Sequence, residues 1–202
     1  MTSLFKMRAL FYLLIVCIIL NSFPIKADSN QAIVPVNITV QGKLIISDAE
    51  NDNKSGMSPT INVLLKLTPD LNNSIVSAKS SIRIRTNLNS WKLTAQRSEI
   101  INSETNIAPE DISLSFTTQS GEKANPNAAK LMEPFNSTTD LSQIGTNTAI
   151  DILIGKSKTS ISKDPDNKNN WFQLTSNYSI LPDFFHNIGE WNTVISYSLV
   201  SP

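Results

Sequence analysis

Cysteine is almost absent from this chain. The only one, Cys17, lies inside an unbroken apolar run from Ala9 to Leu20 near the start. Histidine is as scarce, with His186 alone. These absences exclude whole classes of chemistry. One histidine and one cysteine cannot assemble a zinc set, and a single cysteine cannot form an internal disulfide. Gly-x-Ser-x-Gly, His-Glu-x-x-His and a phosphate-binding glycine loop are missing as well, so no nucleophile elbow, zincin helix or nucleotide cradle is expected. There is no excess charge of either sign. Seventeen basic residues balance seventeen acidic ones, and without a basic footprint nucleic acid is not an expected partner. Beyond residue 20 no apolar run is long enough to cross a bilayer as a helix.

The start has the layout of a secretory signal peptide. Lys6 and Arg8 precede the apolar run, Pro24 breaks it, and Ile25-Lys26-Ala27 offers a small residue before a cut. Val16 before Cys17, and the apolar residues after it, do not fit a lipidation site. Cleavage after Ala27 leaves residues 28–202 as one exported domain of 175 residues with no cysteine. A single hydrophobic core is adequate at that size. The leader takes Lys6, Arg8 and Lys26 with it, so 14 bases face 17 acids, a net of −3. Secreted or cell-surface localisation follows, with no membrane span after cleavage.

What is abundant is alternation. Trp191, Thr193, Ile195, Tyr197 and Leu199 fall on one face of a final strand, and Trp91, Leu93 and Ala95 on one face of another. The last strand is expected inside a sheet, because a terminus frays unless tied down. Val34, Val36, Ile38 and Val40 alternate, with Pro35 marking an edge or a strand start. Ile61, Val63, Leu65 and Leu67 form another run, and Ile82 and Ile84 point inward between Arg83 and Arg85. Asn87 to Ser90 reads as the loop of a β-hairpin leading into the Trp91 strand. Ile112, Leu114 and Phe116 make a strand, Ala128 to Met132 a turn of helix, and Ala149 to Ile154 a central strand. A strand through Phe172, Leu174, Tyr178 and Ile180 ends at Pro182, and Phe184 to Gly189 is an aromatic loop. About nine or ten short strands with regular turn signals and no helical period predict an all-β, immunoglobulin-like Greek-key β-sandwich.

Few residues are placed to carry chemistry. His186, between two phenylalanines and Asn-Ile-Gly, reads as a packed loop residue. Asp48, Glu50 and Asp52 alternate as in a calcium loop, and Asp164-Pro-Asp166 is similar, but neither has the glycine and closing glutamate of an EF-hand; both read as solvated turns. The sequons at Asn37, Asn53, Asn72, Asn136 and Asn177 are what this Asn/Ser/Thr-rich composition produces by chance. Two carboxylates across a groove would make a glycosidase, the weakest of three functional classes considered. Neither catalysis nor a cofactor is expected. Trp91 and Trp191 read as core. Trp171 has the opposite parity to Phe172 and Leu174, so it faces outward beside Asn169, Asn170 and Gln173, a set of amides and an indole suited to sugar hydroxyls and ring faces.

Trp91-Lys92-Leu93, together with the spaced pattern of Trp191, Ile195, Tyr197 and Leu199, resembles the WxL family of bacterial surface domains. That family carries a mid-domain Trp-x-Leu and a second motif near the C-terminus of the form Tyr-x-x-x-(Leu/Ile/Val)-Thr-Trp-x-Leu. Here the aromatics of the second motif are exchanged and Ser196 replaces its threonine. The resemblance implies an exported, non-enzymatic domain holding non-covalently to peptidoglycan or another envelope glycan. Trp91, Leu93, Trp191, Ile195, Tyr197 and Leu199 are then the motif residues. Other surface proteins are the second class of partner. The alternative is a pilus or surface-fibre subunit, in which the Val34 to Val40 strand would complete a neighbour's sheet.

Overall fold

Strand alternation decides the architecture, because a strand with one apolar face must lay it against another. In a computed structural model, which describes residues 41–49, 67–100, 102–189 and 191–202, eleven strands form. Seven are substantial: β1 (Leu44–Asp48), β2 (Val76–Thr86), β3 (Trp91–Arg97), β5 (Ser113–Ser120), β8 (Ile150–Gly155), β9 (Phe172–Ile180) and β11 (Ile195–Val200). The other four are β4 (Asn102–Ser103), β6 (Ala129–Leu131), β7 (Thr139–Asp140) and β10 (Trp191–Asn192). A five-stranded antiparallel sheet in the order β1-β2-β9-β5-β7 packs on a four-stranded one ordered β11-β3-β8-β6, and β10 pairs with β4. The fold is an all-β sandwich. The leader, the Val34 to Val40 run, most of the Asp48 to Pro59 loop and the run from Ile61 to Leu65 lie outside the described residues.

The core forms where the two inner faces meet. Ile82 and Ile84 from β2, Leu114 and Phe116 from β5, and Phe172, Leu174 and Ile180 from β9 are buried on one side. Trp91, Leu93 and Ala95 from β3 face them with no exposure. Trp91 meets Phe172 edge-on at 6.4 Å, and its Nε1 donates to Ser157 O at 2.9 Å. In β8 the consecutive residues Ile152 and Leu153 are both buried, because the β3–β8 register shifts between Leu93 and Thr94 and a bulge turns two neighbours toward one face. Asp151, the lone charge of that strand, pairs with Lys92 at 2.7 Å.

Three expectations are corrected. β2 and β3 are not a hairpin. They lie in different sheets, and the 87–90 loop crosses between them. Each has an apolar face strong enough to form one wall of the core, so they face each other across it. Ala128 to Met132 makes no helical turn: Ala129–Leu131 is strand β6, paired with β8, which needs a partner on the side away from β3. The last stretch is two strands rather than one. Trp191 and Asn192 pair with β4, Ile195 to Val200 pair with β3, and among the described residues β11 has no second partner.

The antiparallel order gives the sandwich two ends. Connections 87–90, 121–128 and 156–171 gather at one; connections 98–112, 132–149 and 181–194 gather at the other. At the first, Thr86 and Thr159 bond reciprocally: Thr86 N donates to Thr159 Oγ1 at 3.0 Å, and Thr159 N to Thr86 O at 2.9 Å.

Candidate functional site

The motif residues lie on the core face. Trp91 and Leu93 are fully buried, and Trp191, Ile195, Tyr197 and Leu199 pack against the same core. The two motif strands are neighbours: β11 pairs with β3 so that Leu199 stands opposite Leu93 and Tyr197 opposite Ala95. Tyr197 Oη meets Ser176 Oγ at 3.0 Å, a bond that links the two sheets through the core. Burial, with Tyr178 nearby, pushes the Tyr197 phenol well above its usual value. The Trp191 Nε1 is buried with no acceptor. These side chains shape the sandwich and leave no ring face of Trp91 open to a ligand.

Trp171 sits differently. It precedes β9 and is half-buried, and the Arg83 guanidinium lies over its ring at 4.2 Å. The β2–β9 register places Arg83 opposite Gln173, and Arg83 Nε donates to Gln173 Oε1 at 3.1 Å. One step along, Arg85 Nε donates to Asn170 Oδ1 and to Asn167 O, both at 3.1 Å. Asn170 Nδ2 donates in turn to Asn167 Oδ1 at 3.0 Å. Asn169 is exposed; its amide donates to an Asp164 carboxylate oxygen at 2.6 Å and its carbonyl accepts from Lys123 N at 2.9 Å. Asp164 therefore closes a turn. Of the four residues expected here, Trp171 and Gln173 meet at Arg83, Asn170 is held by Arg85 further along the same strand face, and Asn169 lies in the adjoining turn. The sequence left Arg83 out of this set. Its outward parity was readable, but its partner is roughly 90 residues away and only the strand register joins them.

From this corner the outer face of the five-stranded sheet continues as a polar floor. Ser81 Oγ and Thr175 Oγ1 bond at 2.8 Å, and Gln173 Nε2 donates to Thr175 Oγ1 at 3.3 Å. A depression of about 420 Å³ lies further along, lined by Ser77, Lys79, Ser113, Ser115, Asn177 and Ser179 among others.

The opposite end carries the aromatic loop. Phe184, Phe185 and Ile188 are 72, 76 and 102% exposed. The loop is nonetheless tied. Phe185 N donates to Asp183 Oδ1 at 2.7 Å, and Asp183 N to His186 Nδ1 at 3.1 Å. Asn106 clamps it from outside, donating to Phe185 O at 3.0 Å and accepting from Asn187 N at 2.8 Å. His186 is thus a half-buried structural member of its loop. Among the described residues, no three His, Cys, Asp or Glu side chains converge as a metal site, and no helix is long and apolar enough to cross a membrane. Compared with known families and with curated protein sequences, the chain matches no family model and no curated protein.

Proposed function

We propose that the protein is an exported, non-catalytic surface module that holds non-covalently to peptidoglycan or another envelope glycan, and that the contact lies at the Trp171 corner. The observation that carries this reading is the stack of Arg83 on Trp171 at the edge of a broad hydroxyl- and amide-bearing sheet face. Glycan strands are extended polymers with alternating apolar ring faces and hydroxyl edges. An indole edge and guanidinium plane suit the former, and a flat array of Ser, Thr, Asn and Gln suits the latter. Exposed Lys123, Lys163 and Lys168 stand on the neighbouring loops, which favours a glycan bearing carboxylates. The WxL resemblance points to the same class of ligand, and its residues then serve by building the strands that support the sheet.

The test is co-sedimentation with isolated cell walls. Wild-type protein should pellet with walls and be released by concentrated denaturant. Trp171→Ala should lose binding while keeping native circular dichroism, and Tyr197→Phe should keep both. Loss in Tyr197→Phe alone, with the fold intact, would move the contact to the motif strand. A wild-type protein that never pellets removes the glycan reading. The fibre-subunit alternative has one observation in its favour: among the described residues β11 pairs on one side only, and a strand edge of that kind can accept an added strand.

A further inference from the structure

The two ends of the sandwich differ in charge and polarity. The 121–128 and 156–171 connections carry five lysines, Lys123, Lys156, Lys158, Lys163 and Lys168, against three acids. The described residues of the 98–112, 132–149 and 181–194 connections carry seven acids, among them Glu104, Glu110, Asp111 and Asp183, and no lysine or arginine. Arg97, at the close of β3, is 9% exposed and its guanidinium is turned onto the carbonyls of Ile144 and Ser98. The acidic end is also the apolar one. Of the nine large apolar side chains exposed among the described residues, five belong to these connections, Leu181, Phe184, Phe185, Ile188 and Val194, against one, Ile161, in the lysine-bearing connections. The most prominent, Phe184, Phe185 and Ile188, are presented on the hydrogen-bonded loop clamped by Asn106. An ordered loop presents its side chains at a small further entropic cost on binding.

We infer that the acidic, apolar end is a docking surface for the lysine-bearing end of a second copy of this chain, so that copies associate head to tail. The charges are complementary between the ends and repulsive within each, which steers unlike ends together and opposes like ends. Lysine stems cover apolar surface while their ammonium groups remain by water or a carboxylate, so the lysine end can pack on phenylalanines that its own few exposed apolar residues would not satisfy. A contact between two different patches does not close on itself. It yields rows of copies unless the rotation happens to close a ring. A bilayer is the poorer occupant, since no lysine or arginine in these connections borders the aromatic loop to meet anionic headgroups. The inference is independent of glycan binding, although Trp171 stands at the lysine end and a docked copy would compete with a glycan there.

Analytical ultracentrifugation without cell walls tests this. Wild-type protein at low salt should show an average mass that climbs with concentration, and 0.5 M salt should weaken the association at least about tenfold, as contacts between exposed charges are screened. Two variants separate the ends: Phe184→Ser with Phe185→Ser, and Lys163→Glu with Lys168→Glu, all at exposed positions. Each alone should remain monomeric. Mixed, they should give a dimer and stop, because each retains one competent end. A wild-type protein that is monomeric at low salt up to hundreds of micromolar overturns the inference. So does a discrete dimer that survives the lysine changes and tightens with salt, which would place two acidic ends face to face. Pelleting with phosphatidylcholine vesicles that depends on Phe184 and Phe185, without self-association, would assign the loop to a bilayer and overturn it equally.

Discussion

Trp91 and Lys92 are adjacent in sequence and opposite in consequence. The indole is fully buried, so Trp91→Ala should cost about 3–5 kcal/mol, the usual loss on emptying a large aromatic site. Lys92 lies on the outer face and holds Asp151 at 2.7 Å with both side chains about one-third exposed; Lys92→Ala should cost less than about 1 kcal/mol, as partly solvated pairs do. Equal urea midpoints for the two variants would reverse the faces of β3. Gly155 stands opposite Trp91, and a Cβ there would overlap the indole. Gly155→Ala should therefore destabilise by about 1–3 kcal/mol or more, since a rigid ring can yield only by moving its strand; thermal unfolding indistinguishable from wild type would show the ring has room. Tyr197 adds a pH dependence. Burial raises its pKa in the folded state well above the ordinary tyrosine value of 10.0. The resulting stabilisation is complete below about pH 10 and is lost as pH rises further. Tyr197→Phe leaves the Ser176 hydroxyl without its partner, at about 1 kcal/mol near neutrality. Above pH 10 wild type should lose stability faster than the variant. Parallel curves from pH 8 to 12 would mean that the phenol is hydrated.

At the scale of elements, faces were legible and partners were not. Period-2 alternation puts Ile82 and Ile84 inward and Arg83 and Arg85 outward, and Phe172, Leu174, Tyr178 and Ile180 mark the strand that becomes β9, because a strand's two faces meet different surroundings. Nothing local to β2 or β3 says that the four residues between them cross from one sheet to the other. That is decided by β9 and β8, which lie far along the chain and pair with them. The Ala-rich stretch at 128–132 favoured helix by propensity, and an open place beside β8 overrode it, as tertiary context commonly does. The candidate site was half legible for the same reason. Trp171 and its amides came from parity and composition, while Arg83 required the register. The aromatic loop allows a further prediction. Asn106→Ala removes both outer ties to Phe185 and Asn187. Chymotryptic cutting at Phe184 or Phe185 should then accelerate several-fold with little change in global stability; an unchanged cutting rate would show that Asp183 and His186 hold the loop unaided.

For the whole molecule, export is the first expectation to check. Amino-terminal sequencing of secreted protein should begin at Asp28; recovery of intact Met1 in a membrane fraction would refute cleavage after Ala27. Cleavage there would remove three basic residues and leave a slightly acidic chain, with its acids and lysines weighted toward opposite ends of the described sandwich. An anionic wall and a second copy would then approach the same lysine-bearing end. Added wall fragments should shorten any rows of copies seen by ultracentrifugation, and rows that lengthen instead would place the two contacts on different surfaces.

The pairing of β11 with β3 also sets an order of events in time. Leu93 and Leu199 stand opposite one another although roughly 100 residues separate them, and contacts that distant in sequence form late and slowly. Until residues 195–200 have emerged, β3 lacks one neighbour and the four-stranded sheet is incomplete. A chain exported through a pore would therefore be held back from its native state for nearly the whole transit, with the sandwich closing only once the far side has been reached.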